Sequence, residues 1–96
     1  MKIEELKNQI ELLKPILRER FKVETIGIFG SYVRGEQKRK SDVDILVEFS
    51  ETPSLFEFVE LEDFLSQKLG IKVDLVMKDA LKPRIKDSIL SEAVYI

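Results

Sequence analysis

The 96-residue chain has no cysteine, no histidine and no tryptophan. Without cysteine there are no disulfides, no thiolate nucleophile and no Cys-based zinc site. Without histidine the commonest metal ligand and the commonest general base are also missing, which leaves carboxylates, hydroxyls and basic groups for any chemistry. No uninterrupted apolar run approaches the roughly 20 residues needed to span a bilayer. The first residues, MKIEELKNQIELLK, mix charge with apolar side chains from the second position and form no signal-peptide core. A soluble cytoplasmic protein without membrane contact is expected. Neither sign of charge dominates: 16 Lys plus Arg stand against 18 Asp plus Glu, a net charge of −2. That balance argues against bulk affinity for nucleic acid, so no direct nucleic-acid binding is expected and any phosphate binding must be local.

What is present is 44% apolar and 35% charged residues, a composition suited to one globular domain over residues 1–96. A chain of this size buries only about 60 to 65% of its unfolded surface, so the core must be small and the elements short. There is no room for a separate substrate domain.

Ile3, Leu6, Ile10, Leu13 and Leu17 recur at steps of three and four, the stripe of an amphipathic helix. That helix is expected to run to about Lys14, with a kink or fresh start at Pro15. Glu24 to Phe29 reads as a buried strand ending at Gly30. In the strand from Val43 to Phe49, Val43, Ile45, Val47 and Phe49 share one face, and Asp42, Asp44, Leu46 and Glu48 share the other. Ser54 and Glu57 form a capping box for a helix from Leu55 to Leu69, stopped by Gly70. Its core stripe is read as Leu55, Phe58, Val59, Leu65 and Leu69, leaving Phe56, Leu61 and Phe64 for the first helix, the last helix or a protein partner to cover. Ile71 to Met77 is a third strand. Asp79 is expected to cap a last helix containing Leu81, Ile85 and Ile89, with Pro83 in its first turn, and the tail AVYI can form an edge strand. The fold class is α/β (α+β), a small mixed β-sheet with helices packed on it.

Chemistry gathers around the turn after the first strand. Gly30-Ser31 leads into Tyr32, Val33 and Arg34, which suit a short helix closed by Gly35. A strand turning sharply into a helix leaves backbone N–H groups free at the helix start, where glycine lets a phosphate approach and a serine hydroxyl can donate to it. The same two residues could equally make a turn and cap a helix. The Gly30 to Gly35 spacing is superficially that of a P-loop, but Glu36 and Gln37 stand where that loop needs Lys and Ser or Thr.

Asp42 and Asp44, two residues apart in extended chain, point the same way. Like charges that close are costly unless a cation lies between them, and Mg²⁺ is commonly held by one or two carboxylates plus substrate phosphates. Exposure at a strand end is the plainer reading of an Asp-x-Asp pair. Asp74 shifts the balance, because it sits between Val73 and Leu75 in an otherwise apolar strand. If that strand lies beside the second, the three carboxylates could hold two metals about 3.5 to 4 Å apart. Asp74 would then bridge to the attacking hydroxyl or accept its proton.

The run GSYVRGEQKRKSDVD from Gly30 to Asp44 resembles the Gly-Ser, ten residues, Asp-x-Asp signature of the polymerase-β-like nucleotidyltransferase superfamily, and Asp74 falls at its third carboxylate. The size and order of elements are similar to the minimal nucleotidyltransferase (MNT) group. The resemblance implies a polymerase-β-like core and Mg²⁺-dependent transfer of AMP from ATP, with pyrophosphate leaving. It also implies an antitoxin role, in which the MNT protein adenylylates a tyrosine on a HEPN ribonuclease toxin. By the same resemblance, Gly30 and Ser31 hold the β and γ phosphates, Asp42 and Asp44 bind two Mg²⁺ ions, and Asp74 binds the catalytic one. Arg34 supports the nucleotide or the turn, or forms a surface salt bridge.

The basic run Lys38-Arg39-Lys40 is either a lure for triphosphate or a solvated loop, and Lys82, Arg84 and Lys86 are open to the same two readings. Two other functions stand beside the enzyme: a binding module that masks a toxin without catalysis, and nucleotidyl transfer to a small molecule or a nucleic-acid end.

Overall fold

Four short strands and their connections account for the sheet. In the computed structural model, which describes residues 1–96, β1 (Val23–Phe29) and β2 (Val43–Phe49) pair antiparallel, with Ile28 opposite Ile45 and Phe29 opposite Asp44. β3 (Val73–Met77) then pairs parallel with β2, after a crossover through the helix α3 (Leu55–Leu69). The final strand β4 (Val94–Tyr95) adds antiparallel to the other side of β1, giving the order β3-β2-β1-β4. The sheet is therefore mixed, as expected.

Alternation decides what each face carries. Ile26, Ile28, Val43, Ile45, Val47, Val73 and Leu75 point to one face, where they meet Leu6, Ile10 and Leu17 of α1 (Ile3–Phe21) and Leu61, Leu65 and Leu69 of α3. The opposite face receives the alternate residues, among them Asp44 and Asp74 in directly facing register. The short helix α2 (Ser31–Arg34) follows β1, and α4 (Pro83–Glu92) runs into β4. No helix is long and apolar enough to cross a membrane.

Four expectations need correction. The first helix does not stop or restart at Pro15 but continues to Phe21. Pro15 and Glu11, the residue whose carbonyl loses its partner, both lie on the exposed side, where water can replace the missing bond, while Ile10 and Leu17 pin the turns on either side. The buried face of α3 is Leu61, Leu65 and Leu69, with Phe58 and Phe64 packed beside it, whereas Leu55 and Phe56 are 75% and 86% exposed and Val59 is also exposed. Apolar residues all round this helix made the periodicity ambiguous, and its contacts with α1 and β3 chose the face. Phe64 is covered by Phe21, whose ring centroid is 5.1 Å away.

Asp79 does not cap the last helix: it lies in a 3₁₀ turn (Lys78–Ala80), and α4 begins at Pro83 with Lys82 before it, leaving Leu81 outside. Proline at the first helical position, with its missing N–H and preset φ, sets that start. The third strand begins at Val73 rather than Ile71.

Other local expectations match the structure. Ser54 accepts from the Glu57 N–H at 3.2 Å while the Glu57 carboxylate accepts from the Ser54 N–H at 2.9 Å. That reciprocal box holds the Glu57 carboxyl below its ordinary pKa. Gly70 ends α3 at φ 69°.

Candidate active site

The site begins where β1 ends. Gly30 has φ 79° and ψ −149°, a conformation that only glycine adopts readily. A Cβ at this position would lie 2.1 Å from Oδ2 of Asp44, so the glycine serves both the backbone angle and the carboxylate beside it. Ser31 opens α2 as its first residue, and no side chain caps that helix. Gly35 closes it at φ 71°.

The loop between α2 and β2 is tied at both ends. Tyr32 is buried and its hydroxyl donates to the Ser41 carbonyl at 3.4 Å. The Lys38 N–H donates to Oγ of Ser41 at 2.7 Å, and the Ser41 N–H returns to the Lys38 carbonyl at 3.0 Å. Lys38, Arg39 and Lys40 are thus carried in a closed turn with their side chains exposed. Asp42 follows, exposed, just before β2.

Asp44 is half-buried and stands directly across from Asp74. Its carboxyl is raised above the ordinary carboxylate pKa, chiefly by burial, then by the negative charges of Asp74 and Asp42, with Arg34 opposing. The structure therefore brings Asp44 and Asp74 together as a pair, and Asp42 is near enough for its charge to be felt. The three do not form a ready-made cage: nowhere do three or more acidic side chains converge closely enough to hold an ion by themselves.

β3 is an edge strand, and α3 secures it. The Val73 N–H donates to Oγ of Ser66 and the Leu75 N–H to Oε2 of Glu62, both at 2.9 Å. Ser66 and Glu62 lie one turn apart on α3, so these bonds bracket Asp74 and blunt the strand's free edge. Sequence reasoning missed both residues, because a polar residue on a helix flank carries no local mark of the strand it will meet.

Glu92 was missed for the same reason. From the end of α4, its Oε2 accepts from the Gly30 N–H at 3.2 Å and its Oε1 lies 2.6 Å from Nη1 of Arg34. Nε of Arg34 is held by Glu36 at 2.6 Å, and these two carboxylates, Glu36 foremost, raise the guanidinium's hold on its proton. Arg34 does form a salt bridge, but it does so at the glycine turn. A cleft of about 480 Å³ opens here, bounded by Gly30, Arg34 and Asp44 on one side and by Arg84, Ser88 and Glu92 of α4 on the other. Of the basic residues on the last helix, Arg84 is the one that reaches this cleft.

Oxygen donors only, two carboxylates in register and a backbone N–H at a glycine turn are donor types that suit a hard cation and a phosphate. Comparison with known proteins agrees in class. The nucleotidyltransferase domain family matches residues 10–96. The protein adenylyltransferase MntA of Thermococcus cleftensis is 55% identical over 94 residues, covering 98% of this chain and 95% of its own. A solved structure described as a minimal nucleotidyltransferase superposes with a TM-score of 0.83 at 34% identity, over 98% of this chain and 95% of that one. A toxin–antitoxin crystal structure with AMP-PNP has a chain that aligns with a TM-score of 0.75 at 30% identity, over 92% of this chain and 71% of that one. The chain belongs to the nucleotidyltransferase domain family, in its minimal branch, and is an enzyme of that class.

Proposed function

We propose that this protein, as a single minimal nucleotidyltransferase domain over residues 1–96, transfers AMP from ATP to a tyrosine hydroxyl of a cognate HEPN-type ribonuclease toxin and so acts as its antitoxin. The observation that carries the reading is the Asp44 and Asp74 pair in register beside the Gly30 turn. Extensive identity with a protein adenylyltransferase and likeness to a toxin–antitoxin complex holding an ATP analogue support the substrate and the partner. A cytoplasmic setting goes with both.

The donor set fits Mg²⁺. Of two facing carboxylates, Asp44 is pushed toward its protonated form by burial and then by the charge of Asp74, and Mg²⁺ characteristically takes one or two carboxylates and completes its shell with substrate phosphates and water. Asp42 and Asp44 would hold two ions and Asp74 the catalytic one. When bound, the ions supply Lewis-acid polarisation and neutralise the charge developing on the phosphates.

The chain's own groups do the rest. Gly30 offers its N–H to the β and γ phosphates and Ser31 its hydroxyl. Arg34 adds a positive charge. The tyrosine oxygen attacks the α-phosphorus, the bond from that phosphorus to the oxygen bridging to the β-phosphate breaks, and pyrophosphate leaves. Asp74 accepts the tyrosine's proton, since no histidine is available for the task. The acceptor hydroxyl is supplied by the toxin.

The test pairs purified partner toxin, labelled ATP and Mg²⁺ with the wild type and with the double variant Asp42→Asn, Asp44→Asn. Label on a tyrosine of the partner with the wild type, and none with the variant, is expected. A double variant that still protects cells, together with a partner that never acquires AMP, would replace catalysis with masking. A mass increase of one AMP on a small molecule or nucleic-acid end would redirect the acceptor.

A further inference from the structure

The carboxylate of Glu92 occupies a place with unusual chemistry for an acidic side chain. Its two oxygens bridge the Gly30 N–H, at 3.2 Å, and the Arg34 guanidinium, at 2.6 Å. Those are the backbone donor and the cation that the proposed reaction assigns to the nucleotide's phosphates. A carboxylate and a phosphate present the same sign of charge and the same kind of acceptor oxygen, so they compete for the single Gly30 N–H and for the charge of Arg34.

We propose that Glu92 is an internal anion that closes the phosphate end of the site in the nucleotide-free protein, and that the triphosphate of an incoming nucleotide has to displace it. The inference rests on the nucleotidyl-transfer reading. Glu36 grips the other side of Arg34, at Nε, so the guanidinium keeps an anchor when Glu92 lets go. The element that carries Glu92 is lightly held: α4 contains no buried residue, and it forms the wall of the cleft facing Gly30 and Asp44. Glu92 also lies next to Ala93, where the helix gives way to extended chain leading into β4. Release therefore asks for a side-chain swing or a shift of one helix end, with β4 still paired to β1.

Such a latch weakens nucleotide binding by the fraction of time it is open, so a latch closed nine-tenths of the time costs about tenfold in apparent affinity. A residue that merely positioned Arg34 for the phosphates would have the opposite sign, because its loss would weaken binding.

The experiment titrates AMP-PNP, tripolyphosphate and adenosine, with Mg²⁺, into the full chain by calorimetry. It compares the wild type with Glu92→Gln, which keeps the shape and removes the charge, and with Glu92→Ala, which removes the carboxylate; thermal melts confirm that each variant is folded. Both variants are expected to bind AMP-PNP and tripolyphosphate roughly three- to tenfold more tightly, with adenosine unchanged. A wild type that binds AMP-PNP alongside folded variants that bind it equally or less tightly overturns the latch and leaves the nucleotidyl-transfer reading standing. Variants that bind where the wild type does not support the latch strongly. If neither wild type nor variants bind AMP-PNP, both readings fall together.

Discussion

Asp44 on β2 lies directly opposite Asp74 on β3, two carboxylates on the same sheet face with only a parallel strand pairing between them. Burial and the neighbouring charges raise the Asp44 carboxyl above the ordinary range, so the folded protein without a bound cation carries a site that resists full ionisation.

The pH dependence of stability follows in sign. Between the ordinary carboxylate value and the raised one, folded Asp44 holds a proton that the unfolded chain has lost. Its contribution is therefore fully favourable below that window and is lost as pH rises through it, opposite to a salt-bridged carboxylate. In chelator, Asp44→Asn should melt at or above the wild-type temperature at neutral pH, with the difference shrinking as pH falls below the ordinary carboxylate value. Thermal melts across a pH series check this, and a variant markedly less stable at neutral pH would contradict it.

The same substitution should behave oppositely in function. On the proposed mechanism Asp44→Asn takes away a cation ligand where stabilisation of the transition state is worth several kcal/mol, so the rate of AMP transfer should fall by about a hundredfold or more. Mg²⁺ with AMP-PNP should raise the wild-type melting temperature by mass action and leave that of the variant nearly unmoved.

Gly30→Ala and Gly35→Ala form a matched pair. Both glycines have positive φ, at 79° and 71°, but a Cβ on Gly30 meets Oδ2 of Asp44 at 2.1 Å while one on Gly35 meets nothing within 4 Å. Gly35→Ala should cost only the left-handed backbone penalty, about 1 kcal/mol. Gly30→Ala should cost more, about 2 to 3 kcal/mol, and should abolish nucleotide binding. Urea unfolding of the two variants side by side would show the difference.

Glu62→Ala leaves the Leu75 N–H without its acceptor at the edge of the sheet. A loss of about 1 to 3 kcal/mol is expected, with faster hydrogen exchange at Leu75 and slower AMP transfer, because Asp74 is held by the strand this bond secures. Ser66→Ala should act similarly through Val73, and more weakly, since its partner is a neutral hydroxyl. Unchanged exchange at both amides would remove the clamp from the account.

Features carried by neighbouring residues are legible in the sequence alone. The Ser54 and Glu57 box, the left-handed Gly70, the glycine-bounded α2 and the alternation of Val43, Ile45 and Val47 depend on local geometry, and each occurs as expected. Failures came where a local rule was overridden by packing. Pro15 should have interrupted α1, but its missing bond faces water while Leu17 anchors the next turn. The stripe on α3 could be drawn two ways, and Leu61 rather than Leu55 or Val59 proved to be core because only one face of the helix has neighbours to bury against.

The sequence by itself determined the kind of chemistry available: no thiol, no imidazole, aspartates at or within two apolar segments that read as strands, and a Gly-Ser turn after a third. Only the tertiary structure decided that Asp74 stands opposite Asp44, that Ser66 and Glu62 brace its strand, and that Glu92 reaches Gly30 from 62 residues away. The reason is physical. Turns, caps and alternation are set by steric and hydrogen-bonding preferences over a few residues, whereas register and long-range ion pairs follow from how helices and strands bury their apolar faces together, and no short window of sequence contains that information.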